Sequence, residues 1–429
     1  MLGYLAGKGY ILTDHYRSAD VIFINTCGFI EDAQQESVNT ILEMIADLRL
    51  NRTRIVAAGC LVEVFGGDIL KTIPGLDGAI GVHSYGELDL FMEKLLAGER
   101  PLFKNDPANV YSSISSRVLT TPVHSAFVKI AEGCSNRCHY CMIPSIRGPY
   151  RSRPPAEITG EISDLLDRGA FEINLVAQDT TAYGMDRESR PNLAGLLEQI
   201  LDLDRSFRLR IMYTYPSRID DRLIELICEE NRICSYLDIP IQHGSDQVLE
   251  QMGRQYRRKD LTALFEKLRK KIPGLALRTT VMVGYPGEKG RHFMELLDLI
   301  TEHPFESLGA FSYSPQQGTA AAQMDQEVPF RVAAKRLAKL MQKQKLIARG
   351  VNQKYTEMRL PILVEGKAGS RGSWYYGRTE YQAPEVDGVT WFRSGEDLKP
   401  GTLVSAKIKA AGPYNLLAGR PVEIDRMPR

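Results

Sequence analysis

The sequence predicts an α/β protein in three parts: an incomplete N-terminal doubly wound α/β domain, a central partial (β/α)6 barrel, and a small antiparallel β-barrel at the C-terminus. Strand-like and helix-like segments alternate over the first hundred residues and again from 126 to 313, which calls for parallel strands joined by crossover helices. After a long basic helical stretch the pattern changes to short β-type runs broken by Gly-rich turns, which suits a small barrel.

The elements follow in order. ADVIFIN (19–25) is an apolar, β-branched run, and EDAQQESVNTILEMIADL (31–48) has helical periodicity. RIVAAG (54–59), GAIGV (78–82) and YGELDLFMEKLLAG (85–98) continue the alternation. The stretch 99–124 is polar, with Pro, Ser and Asn and no period, and reads as a linker. A second series opens at AFVKIAE (126–132), with strand candidates at 171–177, 208–214, 236–241, 275–283 and 307–313. Helix candidates such as ITGEISDLLDRG and IDDRLIELICEEN lie between them. Chemistry on such a barrel sits at the carboxyl ends of the strands. The Lys/Arg-rich helix at 330–356 then leads to LPILVEG, WYYGRT, VTWF and LVSAKIKAA, and the domains are placed at 1–105, 124–357 and 358–426.

A chain of 429 residues with 43% hydrophobic and 25% charged residues has the composition of a soluble globular protein. No apolar run approaches the ~18 residues of a membrane span, and the N-terminus lacks the basic and apolar regions of a secretory signal. A net charge of +1 does not mark a whole-protein polyanion binder, and it leaves room for a local basic patch.

Seven cysteines, an odd number without a secretory signal, do not form a disulfide framework, and a cytoplasmic location is expected. Cys134, Cys138 and Cys141 form a C-x3-C-x2-C motif on the loop after the first barrel strand. Three thiolates on one loop can hold three irons of a 4Fe–4S cubane and leave the fourth iron open. A zinc knuckle would want a fourth nearby ligand, and His139, between two of the cysteines, would close a strained ring. Cys228 and Cys234, in or just after a helix and poorly spaced for this cluster, read as small core residues.

The segment AEGCSNRCHYCMIPSIRGPYRSRP resembles the cluster loop of radical S-adenosylmethionine (SAM) enzymes, specifically the methylthiotransferases. IFINTCGFIEDAQQESV (22–38), VAQDTTAYG (176–184), YPSR (215–218), LDIPIQHGSD (237–246), VGYPGE (283–288), YSPQQGTAA (313–321) and GRTEYQAPEVDG (377–388) resemble the ribosomal-protein branch of that family, the RimO type, and the last its TRAM domain. The likeness runs from about residue 2 to 421. It implies a central radical SAM barrel in which the amino and carboxylate groups of SAM chelate the open iron. It also implies methylthiolation at the β-carbon of a conserved aspartate of small-subunit ribosomal protein twelve, met free or on the ribosome. An electron donor such as flavodoxin or ferredoxin is implied too, and a monomer is expected. By position in these motifs, Tyr140, Gln178, Asp179, Tyr215, Ser217, Gln242, His243, Gly284, Pro286 and Glu288 are the residues that would face the cofactor. The plainer reading of each strand-end residue is a turn or a cap.

The family's N-terminal domain holds a second cubane on three cysteines, and Cys27 and Cys60 match two of them. No cysteine precedes Cys27, and the opening MLGYLAGKGY resembles the helix that follows the first ligand's loop. Either the sequence starts too late or the form is genuinely shortened, and the first is favoured because a sheet without its first strand would expose an unpaired edge. As written, the chain is expected to cleave SAM but to transfer sulfur poorly. Two rival functions stand beside the leading one: methylthiolation of tRNA adenosines, and a truncated iron–sulfur protein without that activity. The acidic stretch Glu380–Asp387 counts weakly against a phosphate-binding role, since residues 359–429 carry 11 Lys/Arg against 8 Asp/Glu.

Overall fold

Four parallel strands, β1 (Val21–Thr26), β2 (Arg54–Gly59), β3 (Gly78–Ile80) and β4 (Leu102–Phe103), lie side by side in chain order. The computed structural model describes residues 1–48, 52–106, 117–187, 191–369 and 373–424. The chain divides into two compact units: Met1–Thr120 with Gly133–Pro149 and Ser314–Gln323, and Thr121–Glu132 with Tyr150–Tyr313 and Met324–Arg429.

In the first unit the period of two along β2 sends successive side chains to opposite faces. Ile55 and Ala57 pack with Ile41, Leu61, Val62 and Ile69 on one side. Val56 and Ala58 pack with Leu5, Leu88, Phe91 and Leu95 on the other. Helices thus cover both faces, as a doubly wound sheet requires. β4 is a correction to the expected linker, because Leu102 and Phe103 pair with Ala79 and Ile80. Two residues are too short to show a strand period. Residues 107–116 of that linker lie outside the described residues.

The second unit begins with β5 (Ser125–Lys129), followed by the short antiparallel pair β6 (Ala131–Glu132) and β7 (Arg151–Ser152). Then come β8 (Glu172–Val176), β9 (Arg208–Ile211), β10 (Tyr236–Asp238), β11 (Ala276–Val283) and β12 (Ser307–Ser312). β5, β8 and β9 pair in parallel, as do β10, β11 and β12. Single hydrogen bonds stitch the two sheets together: Cys234 N donates to Leu209 O at 2.8 Å and Thr214 N to Asp238 O at 2.9 Å. This is the expected arc of six strands in chain order.

Helix Phe330–Val351 leads from the arc to a last group of strands. These are β13 (Arg359–Lys367), β14 (Trp374–Arg378), β15 (Thr390–Arg393), β16 (Leu403–Ala411), β17 (Leu416–Ala418) and β18 (Val422–Glu423). The order β13-β14-β15-β17-β16 closes through a β13–β16 pairing into a small barrel around Ile362, Val364, Tyr375, Phe392, Val404 and Ile408. It is not wholly antiparallel, since Thr390 and Trp391 pair with Leu416 and Leu417 in parallel. At Gly377 a Cβ would stand 2.2 Å from Leu363 O, so this crossing of β13 and β14 needs glycine.

Buried charge fastens the small barrel to the strand starts of the arc. The Glu172 carboxylate receives Arg378 at 2.6 Å and Arg210 at 2.9 Å, with Arg208 at 3.8 Å. The acidic stretch takes part as well: Glu380 accepts from Ser235 N at 3.0 Å, and Asp387 from Tyr236 Oη at 2.7 Å. Those two carboxylates are used internally, so they give no information about nucleic acid, contrary to the inference from sequence.

Candidate functional site

The cluster loop starts directly after β6 and belongs to the first unit. Gly133 has φ +76°, and a Cβ there would stand 2.2 Å from Pro149 O, so only glycine lets the loop fold back on its own end. Cys134 N donates to Gly148 O at 3.1 Å, and Cys141 N to Cys138 O at 3.1 Å. Cys134 is buried, and Cys138, Cys141 and Tyr140 are half-buried. His139 is exposed, and its carbonyl accepts from Ala321 N at 2.9 Å. The donor set is three thiols on one cinched loop, which fits a cubane with an open iron. Among the described residues no three His, Cys, Asp or Glu side chains converge as around a bound metal ion.

Cys27 and Cys60 stand at the carboxyl ends of adjacent strands. Thr26 pairs with Gly59 in the β1–β2 register, so each cysteine is the next residue. Cys27 N donates to Ser37 Oγ at 3.0 Å, and a Cβ on Gly28 would meet Cys60 O at 2.7 Å, so the two loops abut. Arg147, at the end of helix Ile143–Arg147, donates from Nη2 to Cys60 Sγ at 3.0 Å. His83 Nε2 donates to Ile146 O at 2.9 Å and seats that helix. Sequence reasoning missed Arg147 and His83. Arg147 lay inside a quoted motif, yet nothing in its spacing points to a sulfur. The described residues offer a second cluster two sulfurs, one fewer than a cubane with an open iron takes.

In the second unit the other candidates lie past the strand ends. Gln178 and Ser217 are exposed. Asp179 is buried and caps the turn Thr180–Ala182: its Oδ1 accepts from Thr181 Oγ1 at 2.6 Å and Ala182 N at 3.1 Å, and its Oδ2 pairs with Arg218 at 2.5 Å. Tyr215 is buried, with the Arg218 and Arg254 guanidinium groups 4.6 and 5.1 Å from its ring. Gln242 holds φ +67° while bridging β11. His243 Nδ1 accepts from Ser245 N at 3.0 Å, which leaves the ring hydrogen on Nε2, 3.9 Å from Glu288 Oε1. Glu288 also accepts from Gly284 N and lies 3.3 Å from Arg336. Gly284 has φ +76°, and a Cβ there would meet Ala333 Cβ at 2.6 Å. Pro286 is buried in the same turn. Asp179 and Glu288 thus serve as caps and ion-pair partners, with Arg218 and Arg336 as the partners that sequence reasoning missed.

Cys234 is buried as expected. Cys228 is not: it is exposed, because helix Asp221–Glu229 buries Leu223, Ile224, Leu226 and Ile227 and turns its other face to solvent. None of the seven cysteines, all among the described residues, is in a disulfide.

A parallel β/α arc with a three-cysteine loop after its first strand, followed by a small barrel, defines the class, a radical SAM protein with an appended TRAM domain. The radical SAM superfamily model matches residues 128–300, the TRAM domain 358–421, and "Uncharacterized protein family UPF0004" 1–81. The fold is similar to that of the radical SAM methyltransferase TsrM from Kitasatospora setae, at TM-score 0.55 and 16% identity over 70% of this chain and 66% of that one. Among relatives, the ribosomal protein uS12 methylthiotransferase RimO of Pelotomaculum thermopropionicum is 41% identical over 97% of this chain and 94% of its own length. That of Desulforudis audaxviator is 42% identical over 97% of this chain and 92% of its own. The chain belongs to the RimO family of radical SAM methylthiotransferases. Membership of the superfamily implies a 4Fe–4S cluster and SAM. Among the described residues no helix is long and apolar enough to cross a membrane.

Proposed function

We propose that this chain adds a methylthio group to the β-carbon of an aspartate in ribosomal protein uS12. The observation that carries the reading is the identity of about two residues in five with RimO relatives along nearly the whole chain, 41% over 97% in one case. The reading keeps three domains, 1–105, 124–357 and 358–426, of which the last two positions lie outside the described residues.

A reduced cluster and SAM, when bound, supply one-electron chemistry able to take hydrogen from a carbon that no general base would deprotonate. Cys134, Cys138 and Cys141 would hold three irons, with the fold-back at Gly133 fixing their loop. Gln178 and Ser217, exposed at the strand ends, would touch cofactor or substrate, as would Tyr140 on the cluster loop. Asp179, Tyr215, Gln242, His243, Gly284, Pro286 and Glu288 act behind them by holding the turns in place and keeping water out. Cys27 and Cys60 would contribute sulfurs to a second cluster, and no step of the reaction is assigned to it. Electrons would come from a small donor protein such as flavodoxin or ferredoxin.

The test is anaerobic reconstitution with iron and sulfide, followed by SAM, a strong reductant, uS12 and bulk tRNA in one vessel. A methylthio mass gain on the ribosomal protein is expected. A gain on adenosine instead would move the chain to the tRNA branch, and neither gain would leave an inert iron–sulfur protein.

A further inference from the structure

Helix Phe330–Val351 carries seven basic residues, Arg331, Lys335, Arg336, Lys339, Lys343, Lys345 and Arg349, and no Asp or Glu. Arg336 turns inward to Glu288. The other six are exposed, and among the described residues none of the six side chains has an ion pair or hydrogen bond. At 100° per residue they fall within an arc of about 160°, along a line of about 27 Å. The buried residues Ala333, Leu340, Gln344 and Ala348 lie on the opposite side.

A solvated helix face usually mixes signs, and like charges four residues apart repel one another. Helix Arg258–Lys271 shows the ordinary solution in the same unit: Arg258, Lys267 and Arg269 all have carboxylate partners. The unpaired row is not part of a general excess either, since the whole chain has a net charge of +1.

We propose that this helix is a docking face for the sugar–phosphate backbone of duplex RNA. A duplex offers a phosphate charge at intervals far shorter than the helix length, so cations spread along one side of the helix can meet several of them. A membrane surface fits less well. An interfacial helix buries an apolar face in the lipid, whereas the continuous apolar face here is packed inside the protein. The exposed apolar residues form no continuous face: Phe330 points away from the basic arc, and Val332 and Leu346, inside it, stand about 21 Å apart along the axis. The choice of RNA rests on the proposed function, because a ribosomal substrate is surrounded by RNA, and it adds a contact that the uS12 reaction itself does not require.

The experiment measures binding of the full chain to a short labelled RNA duplex across a KCl series. Against the parent stand the triple variant Lys335→Gln/Lys339→Gln/Lys343→Gln and the same three positions changed to Arg. The Gln triple is expected to bind about tenfold more weakly at moderate salt and to lower the log–log salt slope by about 2 to 3, while the Arg triple keeps both. A Lys71→Gln/Lys267→Gln double variant, whose lysines are already paired, should match the parent. A parental slope in the Gln triple would overturn the proposal. So would lysine-dependent binding to phosphatidylserine vesicles with no binding to RNA. Methylthiolation of free uS12 is followed in parallel. Equal rates in parent and Gln triple, with RNA binding lost, support the docking role. No modification by either refutes the proposed function, and the RNA titration still decides the inference.

Discussion

Arg378, in a strand of the small barrel, holds its Nη2 2.6 Å from Glu172 Oε2 at the first residue of β8, and both side chains are buried. Arg210 and Arg208 approach the same carboxylate from β9. Removing this anion would take a counter-charge from three buried guanidinium groups, of which Arg378 keeps Glu365 at 2.6 Å. Glu172→Gln is therefore expected to cost about 3–5 kcal/mol, read as a lower thermal midpoint for the intact chain. Adding Arg378→Met should recover part of the loss, because the two positions are coupled. A Glu172→Gln variant as stable as the parent would remove the clasp from the account.

The same carboxylate makes stability depend on pH. Burial alone would raise its pKa, but Arg378, Arg210 and Arg208 outweigh burial and hold it well below the usual carboxylate range. The folded value is below the unfolded one, so the stabilisation is complete above the unfolded value and fades as pH falls through the folded one. The thermal midpoint of the parent should drop from about pH 5 downward, and the gap between parent and Glu172→Gln should narrow over the same window. Parallel curves would show that Glu172 is not the group responsible.

Much of this was legible beforehand and some was not, for physical reasons. The runs around 54–59, 275–283 and 359–367 are long and β-branched enough to mark strands by themselves, and the three cysteines of the loop stand out by their spacing. β4 and the β6–β7 pair are two-residue strands held by their neighbours, which no period reveals. The Glu172–Arg378 contact joins residues 206 apart, and each of them looks like an ordinary surface charge in its own segment. Asp179 and Glu288 sit in recognisable motifs, but their caps and arginine partners depend on turns that only the folded chain brings together.

Gly133→Ala tests the cluster loop. Its Cβ would clash with Pro149 O, and its φ is positive, so the fold-back must open. The variant should fold with unchanged far-ultraviolet circular dichroism yet bind clearly less iron per chain after reconstitution. Parental iron content would show that the loop closes without glycine.

Thiol labelling tests the placement of the other cysteines. Cys228 is exposed, whereas burial pushes the Cys234 thiol up to about 11. At pH 8 an alkylating reagent should modify Cys228 quickly and leave Cys234 intact until the chain is unfolded. Early modification of Cys234, mapped by peptide mass, would contradict its burial.

The most direct measurement follows one hydrogen. Ribosomal protein uS12 with aspartate deuterated at the β-carbon is given to the reconstituted chain with SAM and reductant, and the released 5′-deoxyadenosine is weighed. One deuterium carried into deoxyadenosine, with a methylthio group on the aspartate, is the predicted result. Deoxyadenosine without deuterium while that aspartate gains its methylthio group would contradict abstraction at the β-carbon.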